Sequence, residues 1–150
     1  MASSEKITGA MKMISSAKMH RAEADLRRLL PFRSQIETII GNLLSADAEF
    51  SSPLTEEREV KRVGIVVLGS DDGLCGGYNI NIFKDLLVRL RECREKWGED
   101  IDFTIFTVGR KIHKAVAKFV DHHITEVNDE SVNSKCGPDV IKRFAGMLSD

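Results

Sequence analysis

Residues 60–79 read VKRVGIVVLGSDDGLCGGYN, and this stretch decides the fold. Its first nine residues form a short apolar run rich in β-branched side chains, closed by Gly69-Ser70-Asp71, which predicts a buried strand over Val60–Leu68. Downstream, helix and strand patterns alternate. Ile80–Trp97 has Phe83, Leu86, Leu87, Leu90 and Trp97 at helical spacing. A second strand is expected over Ile101–Val108 and a short helix over Arg110–Phe119, with Ile112, Val116 and Phe119 inward. His122–Val127 reads as a third strand, and Pro138–Leu148 as a helix entered through Gly137-Pro138. Strand and helix in strict alternation imply an α/β domain, a Rossmann-like parallel sheet with helices on its faces and right-handed crossovers.

Upstream, the pattern is different. From Ser4 to about Phe50, apolar residues recur near a 3.6-residue period through Ile7, Met11, Ile14, Ala17, Ala22, Leu26, Leu29, Ile36, Ile40 and Leu43, which predicts one long helix. Such a helix, on the order of 70 Å, outruns a small domain. Most of its stripe therefore needs a covering that this domain cannot give, and coiled-coil packing against another helix is the natural outcome. Pro31 removes one ladder bond, so a bend is expected there, with the stripe resuming at Ile36. Ser51-Ser52-Pro53 through Glu59 reads as a polar, acidic linker. The expected organisation is thus a helix over 1–50, a linker over 51–59 and an α/β domain over 60–150.

Composition narrows the function classes. The chain has 150 residues, is 42% hydrophobic and 30% charged, and carries a net charge of −1. Disordered and disulfide-scaffold classes are excluded on these values. No stretch approaches the roughly 20 apolar residues of a membrane helix, and Met1-Ala2-Ser3-Ser4 lacks a signal-sequence pattern, so a cytosolic chain is the default expectation. Cys75, Cys93 and Cys136 form no CxxC pair and read as reduced thiols. Charge is unevenly distributed. Residues 1–33 hold Lys6, Lys12, Lys18, Arg21, Arg27, Arg28 and Arg33 against Glu5, Glu23 and Asp25, a local +4 that leaves −5 on the rest. A basic segment on an acidic body implies an acidic partner. The basic side chains do not alternate with aromatics, which favours a protein over a nucleic acid.

The loop Gly69–Asn79 lies where α/β ligand sites usually form. A nucleotide site at Gly73–Gly77 is one reading; the other is a tight structural turn in which glycines permit unusual backbone angles. The loop matches neither GxGxxG nor GxxxxGK[ST], and Asp71 and Asp72 repel phosphate. Those two carboxylates also suggest a magnesium site, but Val108-Gly109-Arg110 ends the second strand without a third acidic ligand. Arg110 reads as a solvated charge. Cys75 has no adjacent basic residue to activate it as a nucleophile. His20 and His113 read as ordinary helix positions, while His122 and His123, adjacent on a strand, are expected to face opposite ways.

Two segments together resemble the gamma subunit of the F-type ATP synthase. Ile7-Thr8-Gly9-Ala10-Met11-Lys12-Met13-Ile14-Ser15-Ser16-Ala17-Lys18-Met19 is similar to that family's N-terminal helix. Ser70-Asp71-Asp72-Gly73-Leu74-Cys75-Gly76-Gly77-Tyr78-Asn79 is similar to its loop after the first strand. The resemblance implies a rotor shaft, not a catalyst: a central-stalk subunit without cofactor or metal, coupling rotation driven by proton or sodium flow to ATP synthesis or hydrolysis on beta subunits. It implies as partners the alpha and beta subunits, the epsilon subunit, the membrane c-ring and a C-terminal helix of the family chain that these residues do not contain. It further implies no nucleic-acid partner, no membrane insertion, and a peripheral position on the cytoplasmic face of the bacterial inner membrane or its organellar equivalent. By position, Ile7, Met11, Lys12, Lys18 and Arg21 on the helix, with Leu74 and Cys75 in the loop, are the implied contacts with the alpha/beta ring. Gly9 stands where the family usually has lysine, and Asp72 where it usually has arginine. The α/β domain is expected to be incomplete by family standards, and the chain a fragment.

Overall fold

The computed structural model describes residues 2–46, 52 and 56–149. The chain divides into two units, Met1–Glu57 and Arg58–Asp150. The first is one helix, α1, Ala2–Ser45. Its 44 residues correspond to roughly 65 Å. Pro31 lies inside it without ending it. The expected end near Phe50, and most of residues 51–55, lie outside the described residues.

Three hydroxyls on α1 bond back to the preceding turn: Thr8 Oγ1 to the Ser4 carbonyl (2.9 Å), Thr38 Oγ1 to Ser34 (2.9 Å) and Ser45 Oγ to Gly41 (2.7 Å). Arg27 pairs with Glu23 at 3.0 Å and Arg33 with Glu37 at 2.7 Å, each one turn apart. Exposed pairs of this kind contribute only about 0.3–0.5 kcal/mol each. The apolar side chains of α1 are exposed, from Ile36 at 39% to Met13 at 70%.

The second unit alternates as the sequence predicts: β1 Arg62–Leu68, α2 Tyr78–Trp97, β2 Asp102–Val108, α3 Arg110–Val116, β3 Ile124–Asn128 and α4 Pro138–Ser149. The strands form a parallel sheet in the order β1-β2-β3, with Arg62 opposite Asp102 and Phe103 opposite Ile124. Register follows from period-two burial. On β2, Phe103, Ile105 and Thr107 point into the core, while Thr104, Phe106 and Val108 take the other face. Leu86 and Leu90 of α2 and Ile112 and Val116 of α3 close the core against Val67, Ile101, Phe103, Ile105 and Ile124. Burying each such side chain contributes about 1.5–3 kcal/mol. On the opposite face, Phe106 meets Phe144 of α4 edge-on, with centroids 6.3 Å apart.

Boundaries move for local reasons. α2 stops at Gly98, whose φ of 109° only glycine adopts readily and whose N–H donates to the Arg94 carbonyl at 2.8 Å. α3 is shorter than expected. Phe119 lies beyond its end, where its N–H bonds to the Val116 carbonyl (2.7 Å) while its ring meets Phe83 edge-on at 6.0 Å. β3 begins at Ile124, so the expectation for His122 and His123 is corrected. They sit in a turn held by the Asp121 carboxylate, which accepts from His123 N–H at 2.8 Å, and their rings lie 4.3 Å apart instead of on opposite faces. Only a residue inside a strand must alternate.

Candidate partner-contact surfaces

The loop between β1 and α2 is built on a backbone contact. Gly69 donates its N–H to the Val108 carbonyl at 2.7 Å, and Lys111 N–H donates to the Ser70 carbonyl at 3.1 Å. A Cβ at Gly69 would lie 2.5 Å from Ile112, and one at Gly109, whose φ is 107°, only 2.6 Å from the Gly69 oxygen. Two glycines thus let the ends of β1 and β2 touch.

Above that contact, Asn79 organises the turn. Its Oδ1 accepts from Ser70 N–H at 3.0 Å, and its Nδ2 donates to Ser70 Oγ at 2.8 Å and to Cys75 Sγ at 3.1 Å. Ser70 Oγ in turn donates to the Asp72 carbonyl at 2.8 Å. Glycine freedom is used at Gly76, where φ is 57°, but Leu74 also adopts a left-handed φ of 63°. Leu74 is 94% exposed and Cys75 is half-buried. Leu74 thus combines a sparsely populated backbone conformation with a side chain left almost wholly in water.

Asp71 and Asp72 turn away from each other's roles. Asp71 Oδ2 accepts from Ser134 N–H at 3.1 Å, a bond that, with Arg110 nearby, holds its carboxyl below the ordinary aspartate value. Asp72 Oδ1 lies 3.4 Å from Arg110 Nη2, both groups being exposed, so Arg110 is a weakly paired charge and not a free one. Beside them lies a cleft of about 360 Å³ lined by Asp71, Asp72, Arg110, His113, Asp129 and Lys135 among others, but not by Gly73–Gly77. Two of its lining residues, His113 and Asn128, belong to a polar cluster. Glu126, with a side chain only 8% exposed, accepts from Thr107 Oγ1 at 2.7 Å and meets His113 Nδ1 at 2.9 Å, while Asn128 Nδ2 donates to Thr107. These bonds satisfy a carboxylate that burial would otherwise penalise. Among the described residues, no group of three or more His, Cys, Asp or Glu side chains is placed to hold a metal ion.

On α1, Ile7, Met11, Ile14, Lys18 and Arg21 follow three- and four-residue steps and so share one face. Ile7 and Met11 are 59% and 50% exposed. Lys12 lies roughly 100° from Met11 around the helix, so it falls outside that face.

A family model described as ATP synthase matches residues 1–149. The chain belongs to the ATP synthase gamma-chain family. It is 46% identical over 113 residues to the ATP synthase gamma chain of Phocaeicola vulgatus, covering 75% of this chain and 38% of that one. To the gamma chain of Bacteroides thetaiotaomicron it is 44% identical over 116 residues, 77% of this chain and 38% of the other. To that of Parabacteroides distasonis the identity is 38% over 127 residues, 82% and 43% respectively. The chain therefore spans about two fifths of the length of these curated relatives.

Within this gamma-family chain, Leu74 and Cys75 share one ordered turn, and four of the five helix residues singled out by the sequence share one face. Sequence reasoning did not find Asn79 as the organiser of the loop, although it ends the loop motif. Nor did it find the Glu126–His113–Thr107 cluster, whose members are brought together by the pairing of β2 with β3 and the packing of α3 on the sheet. No helix among the described residues is long and apolar enough to cross a membrane.

Proposed function

We propose that this chain supplies the shaft helix and α/β domain of a central-stalk rotor subunit, which couples rotation driven by transmembrane proton or sodium flow to ATP synthesis or hydrolysis on other subunits. Membership of the gamma-chain family supports it. The observation that carries it is α1, a 44-residue helix whose apolar side chains remain exposed along its length. Such a helix has to be covered by other chains or by another helix of its own family chain.

In this reading Ile7, Met11, Lys12, Lys18 and Arg21 meet an alpha/beta ring, as do Leu74 and Cys75, while the α/β domain stands with epsilon on the c-ring. Basic side chains on long, exposed stems suit an interface that moves, because attraction to acidic groups needs no single geometry. A shaft presenting a different face to each catalytic subunit favours a different state in each, so rotation changes nucleotide affinity by differential contact. The chain itself performs no bond chemistry in this scheme.

Co-purification from native membranes tests the proposal. Alpha and beta subunits are expected to accompany the tagged chain. Recovery of the chain alone, together with saturable micromolar binding of ATP, ADP or NAD by calorimetry, would replace the shaft with a nucleotide-binding domain acting through Gly73–Gly77.

A further inference from the structure

We draw no further inference here: the strongest candidate, the apolar groove that Val66 and Leu68 of β1, Val108 of β2 and Ile141 and Phe144 of α4 line on the second face of the sheet, would be covered by a further part of the family chain, which only restates the incomplete α/β domain already expected from the resemblance.

Discussion

The two units use the same kinds of side chain to opposite ends. In α1, Ile7, Ile14 and Ile39 are 59%, 58% and 64% exposed; in the α/β unit, Ile105, Ile112 and Ile124 are at 0%. The difference lies in what surrounds them. A strand's apolar face is sealed when its neighbours pair in register and helices close over it, whereas a lone helix has no layer to seal against. Helical periodicity therefore identifies a face that wants covering without saying which molecule covers it.

The comparison breaks most readily in the sealed unit. Phe103→Ala should remove about 3–5 kcal/mol from the α/β unit, a large part of a typical domain's stability. Urea unfolding followed by Trp97 fluorescence reads this loss, because Trp97 ends α2 within the same unit. A loss under about 1 kcal/mol would mean that Phe103 is not central to the core.

Gly69→Ala comes next. Its new Cβ meets Ile112 at 2.5 Å and Asn79 Oδ1 at 2.9 Å, so the β1–α2 loop must shift and the expected cost is about 1–3 kcal/mol. Hydrogen exchange at Ser70 N–H, normally bonded to Asn79, should accelerate; unchanged protection there would contradict the tight contact.

The smallest effect sharpens the contrast. Ile14→Ala should change the stability of the unassembled chain by no more than about 0.5 kcal/mol, as expected for an exposed position. The same substitution in an assembled complex is expected to weaken association measurably. If it destabilises the isolated chain by several kcal/mol, α1 is buried in a way its exposure denies.

Much of the fold was legible because apolar runs and periodicities are local. Ile65–Leu68, Leu86, Leu90, Ile112 and Val116 announce a layered α/β unit without any knowledge of pairing. Turns near His122 and Phe119 were less legible, since a carboxylate at Asp121 and a ring contact between Phe83 and Phe119 set them. Of the candidate surfaces, the Leu74–Cys75 loop was legible as a motif, but not its left-handed leucine, which no composition rule anticipates. Glu126 and His113 were illegible together, being 13 residues apart and joined only by the packing of α3 on the sheet.

Thr8, Thr38 and Ser45 give their hydroxyl protons to carbonyls of their own helix. Donors already engaged in this way make no demand on whatever lies alongside. In the shaft reading proposed above, a neighbour passing over those positions would find no proton donated by these hydroxyls to break and remake, so at these points the rod would resemble a greased spindle more than a zipper.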